Sequence, residues 1–262
     1  MRFIDFHCHI YPDAIAVKAA DNVRQFYNGL GNPAIDGSVK TLLERGTLAG
    51  VSEFVVLPVA VQASRTRHIN DFILEQVEKQ PRFYGYGTIH AGMEDLTGEV
   101  QHIMDKGLRG IKMHPDYQTF DIDDPRMFPV YEQIQGEMPI VFHMGDLRYD
   151  YSHPAKLRHV LELFPKLQVV AAHFGGYQMR DIAKEVLSDT KCLFDTSSSL
   201  MFMQPGEAEK LIRHYGADRF LFGSDYPMWD PVMELKRFLK LDLTDDEKEQ
   251  IAWKTAAELL RV

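Results

Sequence analysis

Eight short runs of β-branched and aromatic residues, separated by stretches of helical periodicity, constrain this chain more than any other feature. The runs are RFIDFHC (2–8), EFVVLPV (53–59), RFYGYGTI (82–89), LRGIKMH (108–114), PIVFHMG (139–145), LQVVAAHF (167–174), CLFDTS (192–197) and RFLFGSD (219–225). Strands alternating with helices read as repeated βα units around a parallel sheet. The starts at 53, 82, 108, 139, 167, 192 and 219 recur every 25 to 31 residues. One strand, one helix and two short connections fill about that length in a (β/α)8 TIM barrel. The expected fold class is therefore α/β, a (β/α)8 TIM barrel with an insertion after strand 1, with residues 1–262 as a single domain.

Helices are expected over SVKTLLERGTLAG, TRHINDFILEQVEKQ, AKLRHVLELF and PVMELKRFLK, whose apolar residues recur at i, i+3, i+4 and i+7. Ser38, Ser152 and Thr244 stand where N-caps are needed, and Pro81 and Pro165 where helices stop. Only the first strand interval is longer than the rest. Residues 11–37 supply the excess, as a helix DAIAVKAADNVRQFY followed by the loop NGLGNPAIDG. This insertion after strand 1 is expected to lie over the barrel mouth.

Charge narrows the partners. A formal net charge of -9 supplies no broad basic footprint for nucleic acid or anionic lipid, so a small-molecule substrate is expected, with no nucleic acid and no membrane partner. Two cysteines, Cys8 and Cys192, favour a reducing compartment over a disulfide framework. The opening MRFIDFHCHIYPDA has no long apolar stretch behind a basic segment, and the expectation is a cytoplasmic chain.

Six of the eleven histidines, His7, His9, His90, His114, His143 and His173, sit at or just past the C-terminal end of an expected strand. In a barrel of this kind that end carries the active site, so residues far apart in sequence converge there. His68, His102, His153, His159 and His214 fall on expected helices.

His7 and His9 are i and i+2 on one strand, with Cα atoms about 6.5 Å apart, so both rings can reach one cation. A His-x-His pair also arises by chance on a half-exposed strand. Position decides for the metal reading, because PIVFHMG and VVAAHFGG each bring another imidazole to the same rim. Asp225, closing LFGSDYP, brings a carboxylate that needs a partner there; its alternative role is an N-cap for the next helix. Lys112 and His114 in GIKMHP share one strand face. Lys112 is read as paired with Asp5 or Asp195, as a substrate-anchoring ammonium, or as a carboxylated lysine bridging two metals.

Together, DFHCHIYP, GIKMHP, VFHMG, AHFGG and LFGSDYP resemble the amidohydrolase superfamily through the whole chain. More narrowly, they are similar to the amidohydrolase-related branch that includes aminocarboxymuconate semialdehyde decarboxylase and resorcylate decarboxylases. The resemblance implies a divalent metal, zinc or manganese with zinc preferred, held by His7, His9, His143 and Asp225. It makes His173 the proton shuttle beside that ion and Lys112 and His173 the candidates for a second one, with one ion favoured over two. One departure is Thr255 in WKTAAELL, where the branch often has asparagine; it bears on subfamily rather than chemistry.

The expected reaction is metal-assisted hydrolysis of an amide, lactone or ester carrying a carboxylate, with Asp225 or His173 moving the proton. Non-oxidative decarboxylation is the rival, and a catalytically inactive metal-binding barrel is the third reading. Lys112, His114, Arg148, Tyr117 and Trp229 are the candidate substrate-binding residues, Arg148 being equally readable as a solvated loop residue. Aromatic residues in these loops would suit a homodimer.

Overall fold

The computed structural model describes residues 1–262 and contains nine strands: β1 (Ile4–Cys8), β2 (Glu53–Val56), β3 (Phe83–Gly85), β4 (Gly87–Thr88), β5 (Ile111–Met113), β6 (Ile140–Phe142), β7 (Val169–Ala171), β8 (Leu193–Asp195) and β9 (Phe220–Leu221). Each of the eight expected runs holds a strand. The run 82–89 holds two, a correction to the sequence reading: Gly85 and Gly87 flank the fully buried Tyr86, and glycine weakens strand continuity.

Chain direction accounts for a second difference. β7 and β9 end three and four residues earlier than expected, and the backbone beyond them turns into the left-handed region at His173 (φ 59°), Phe174 (φ 57°) and Asp225 (φ 61°), as it does after β8 at Ser198 (φ 48°). Non-glycine residues held there are strained by about 1 kcal/mol or more each, and such positions cluster at functional sites.

The chain divides into two compact units, Met1–Val56 with Thr196–Val262, and Leu57–Asp195. In the first, β1 pairs in parallel with β2, placing Asp5 opposite Phe54 and Cys8 opposite Val56. On its other edge Phe6 N–H donates to the Phe222 carbonyl at 2.8 Å, and Cys8 forms a parallel bridge with Tyr226. The core is aromatic: Phe222 packs against Phe3 at 6.1 Å and Phe238 at 5.5 Å. Ser38 caps the helix Val39–Ala49 by accepting the Thr41 N–H, and Thr244 forms a capping box with Glu247 before Asp245–Glu249. The insertion contains the helix Ala16–Phe26. Its base is closed by Tyr11 N–H donating to Gly37 O at 3.0 Å, and Asn32 N–H donates to Met228 O at 2.8 Å, beside the segment that follows β9.

In the second unit β4 to β8 pair in parallel and in register. Met113 lies opposite Phe142 and Phe142 opposite Ala171, so the residues that follow, His114, His143 and Ala172 with His173, leave the sheet at one level. Asn70 staples this unit internally, its amide donating to Thr88 O at 3.0 Å and to Glu99 Oε1 at 2.7 Å. Ser152 is not the cap of the helix Pro154–Leu163. Pro154 occupies the first helical position, which makes His153 the cap, accepting the Ala155 N–H at 3.1 Å. No helix of the chain is long and apolar enough to cross a membrane.

Candidate metal centre and active site

In the first unit the backbone itself brings three ligand side chains together. Asp225 N–H donates to His7 O at 2.8 Å, and His9 N–H donates to Tyr226 O at 2.6 Å. This short ladder sets Asp225 Oδ1 at 3.6 Å from His7 Nε2 and 3.4 Å from His9 Nε2. Their ligand atoms all lie within 4.8 Å of one another. Donors about 2.1 Å from a common centre stand about 3 to 3.5 Å apart, so the cluster fits a divalent cation.

The second nitrogen of His7 supports that fit. His7 Nδ1 lies 3.1 Å from Ser197 Oγ. With the ring proton on Nδ1 and donated to that hydroxyl, Nε2 keeps its lone pair toward Asp225, the tautomer that ligation requires. Gly223 makes room for it: a Cβ there would stand 2.8 Å from His7 Cβ. Asp5 lies under the pair, its Oδ1 accepting the Ser224 N–H at 2.8 Å and the His7 N–H at 3.3 Å. Its Oδ2 is buried without a hydrogen-bond partner, and burial raises this carboxyl to about 6.

Two serines absent from the sequence expectations belong here. Ser197 meets His7, while Ser198 donates its hydroxyl proton to Asp225 Oδ2 and accepts the Trp229 Nε1–H at 2.8 Å. The readable signal was the run DTSSSL at the end of an expected strand, since small hydroxyls at a strand exit can serve the ligands beside them.

In the second unit His114, His143 and His173 converge. The His114 and His143 rings stack with centroids 3.8 Å apart and planes 7° apart, and His143 Nδ1 lies 2.9 Å from His173 Nε2. Asp116 Oδ2 stands 3.7 Å from His143 Nε2 and accepts the Ser152 hydroxyl at 2.5 Å. Burial raises Asp116 to about 6, opposed by the Ser152 hydrogen bond. His114, Asp116 and His143 have ligand atoms at metal-like spacing, but His114 is otherwise committed. Its Nδ1 accepts the Tyr117 N–H at 3.2 Å as the N-cap of Pro115–Gln118. The ring proton is therefore on Nε2, which makes that atom a donor.

Of the remaining candidates, Lys112 is buried on β5, and Tyr117 sits with its ring 5.7 Å from that of His114. Asp195 accepts the His173 N–H on Oδ1 at 3.0 Å. Arg148 forks onto the fully buried Asp146, with Nε to Oδ1 at 2.9 Å and Nη2 to Oδ2 at 2.6 Å. His90 is half-buried and uses Nδ1 to accept the Gly92 N–H at 3.0 Å.

Parallel βα units whose strand exits gather imidazoles and carboxylates at a spacing that could hold a metal ion define an α/β class of protein with its polar site at the strand ends. The chain belongs to the amidohydrolase family: the family described as Amidohydrolase (Amidohydro_2) matches residues 4–262. Three solved structures are similar. An uncharacterized TIM-barrel protein from Bordetella bronchiseptica has 22% identity and a TM-score of 0.82, covering 100% of this chain and 99% of that one. The 5-carboxyvanillate decarboxylase of Sphingomonas paucimobilis has 17% identity and a TM-score of 0.80, covering 100% and 99%. A dihydroxybenzoic acid decarboxylase from Polaromonas, with bound manganese and the inhibitor 2-nitroresorcinol, has 16% identity and a TM-score of 0.77, covering 99% and 97%. These likenesses establish the fold, the TIM-barrel α/β class that the strand recurrence implied.

Proposed function

We propose that this chain is a metal-dependent carboxy-lyase that removes CO2, without redox chemistry, from a small hydroxylated aromatic acid. The sequence alone put hydrolysis first. What favours decarboxylation is the full-length likeness to decarboxylases of dihydroxybenzoate and carboxyvanillate. The continuous family match supports reading residues 1–262 as one functional domain.

His7, His9 and Asp225 would hold the ion; the family resemblance adds His143, on the motif VFHMG. Manganese is the first ion to test, given its presence in the Polaromonas decarboxylase, and zinc suits the same imidazole and carboxylate donors. When bound, the cation supplies Lewis acidity and a fixed positive charge for substrate oxygens.

The residues of the chain do the rest. His173 shares one proton with His143 across 2.9 Å, and we assign it the proton delivered to carbon. The bond from ring carbon to carboxylate breaks, its electron pair stays on the carbon, CO2 departs, and the His173 proton completes the C–H bond. Lys112 and Arg148 are assigned the anionic groups of the substrate, His114 a donor role through Nε2–H, and Tyr117 a pocket wall.

Product analysis tests this reading. Metal-loaded protein given hydroxybenzoates, amides and lactones in isotopically labelled water is expected to release CO2 and place solvent deuterium on the carbon that lost it. Transfer of solvent ¹⁸O into product, with no CO2, would overturn it in favour of hydrolysis. No turnover across the panel would favour the inactive metal-binding barrel.

A further inference from the structure

We infer that Ser198, oriented by Trp229, is a positioning residue that holds the Asp225 carboxylate with Oδ1 turned toward His7 and His9, where the cation would bind. The inference rests on the reading of His7, His9 and Asp225 as a cation site and adds residues that the sequence had not placed there.

The direction of the hydrogen-bond chain follows from donor chemistry. An indole nitrogen only donates, so the 2.8 Å contact from Trp229 Nε1 to Ser198 Oγ occupies a lone pair of that oxygen. Ser198 has one proton of its own, and it goes to Asp225 Oδ2. Asp225 Oδ1 is the oxygen that faces His7 Nε2 and His9 Nε2. One carboxylate oxygen is thereby satisfied by the chain, and the other is aimed at the cation position.

The backbone is arranged around this contact. Ser198 is 5% exposed and held at φ 48°, and Asp225 is held at φ 61°. Both conformations are strained for residues with a side chain, and the surrounding bonds hold them. Met228 N–H donates to Asp225 O at 2.8 Å, closing the turn that carries Trp229 back toward Ser198. Phe202 meets the indole edge-on at 5.9 Å and keeps it upright. Ser197 Oγ, 3.1 Å from His7 Nδ1, accepts that ring proton, so consecutive hydroxyls orient two ligands, one as acceptor and one as donor. The polar end of Trp229 is used inside the chain, which limits its part in any pocket to the ring face.

The test is Mn²⁺ affinity, read by the electron paramagnetic resonance signal of free Mn²⁺ in titrations of metal-free protein, beside the melting temperature of the metal-free chain. Ser198→Gly relieves the φ 48° strain while deleting the hydroxyl, and Ser198→Ala deletes the hydroxyl alone. Loss of an outer hydrogen bond to a ligand lowers metal affinity by about 10- to 100-fold. Both variants are expected to show that loss, with Ser198→Gly melting no lower than the unaltered chain. Trp229→Phe keeps the serine but frees its hydroxyl to turn, and a smaller loss is expected. Ser198→Gly binding Mn²⁺ within about twofold of the unaltered chain would overturn the inference while leaving the metal site intact. No Mn²⁺ binding by the unaltered chain would overturn the metal reading and the inference with it.

Discussion

His143 Nδ1 and His173 Nε2 lie 2.9 Å apart, a hydrogen bond that holds one proton between two buried imidazoles. If His173 delivers that proton, His173→Ala lowers kcat by about 10²- to 10⁴-fold. Metal content of the variant stays that of the unaltered chain. Turnover within a few-fold of the unaltered rate would remove His173 from the proton step.

Arg148 and Asp146 form a fork in the loop after β6, with the carboxylate buried and the guanidinium part-exposed. Removing only the arginine strands a buried charge, which is costly, though solvent reaching Arg148 softens the penalty. Arg148→Ala is expected to lose about 2 kcal/mol of stability in addition to any rise in KM. Adding Asp146→Asn should restore most of the stability and none of the KM. Equal stability for Arg148→Ala and the unaltered chain, measured by urea unfolding, would show that the pair holds nothing in place.

Gly223 tests how tightly His7 is set. A methyl there meets His7 Cβ at 2.8 Å and Ser197 Cβ at 3.3 Å, and neither atom is the far end of a flexible chain. Gly223→Ala is expected to cost about 1 to 3 kcal/mol and to weaken Mn²⁺ binding at the same time. A variant with unchanged melting temperature and unchanged affinity would mean that β1 and the segment after β9 yield more easily than their packing indicates.

Glu234 carries the pH dependence most open to measurement. It is 1% exposed, pairs through Oε1 with Arg237, and has Oε2 buried without a partner. Burial raises its carboxyl from 4.5 to about 7 against the pull of Arg237. The folded state therefore keeps a proton that the unfolded chain releases, so this contribution is full below the unfolded value and is lost as pH rises through about 7. Glu234→Gln removes the titration. Relative to the unaltered chain, it should gain about 3 kcal/mol between roughly pH 4 and pH 8, seen as a growing gap in urea midpoints. A constant gap would place the Glu234 carboxyl in its ordinary range.

Much of this was legible in the sequence, and the remainder has identifiable physical reasons. β-branched runs located every strand, and the histidines at their ends pointed to the clusters because in-register parallel strands finish level, as Met113, Phe142 and Ala171 do. Strand lengths were overread where His173 and Asp225 turn into left-handed backbone, a conformation set by tertiary bonds rather than by residue type. Ser152 looked like a cap. Pro154 displaced that role to His153 and left the Ser152 hydroxyl for Asp116, 36 positions away. Ser197 and Ser198 carry no periodic signal, and their value appears only once β1 and the segment after β9 are adjacent. Lys112, placed on a strand by the run LRGIKMH, is buried in β5.

Metal quantification tests the proposed ion at His7, His9 and Asp225. Protein loaded with Mn²⁺ and dialysed without chelator is expected to carry one equivalent, to lose it in His9→Ala and Asp225→Ala, and to keep it in Lys112→Ala. Equal metal content in the unaltered chain, His9→Ala and Asp225→Ala would contradict the site. Two equivalents falling to one or none in Lys112→Ala would contradict the single-ion account and make that lysine a bridge.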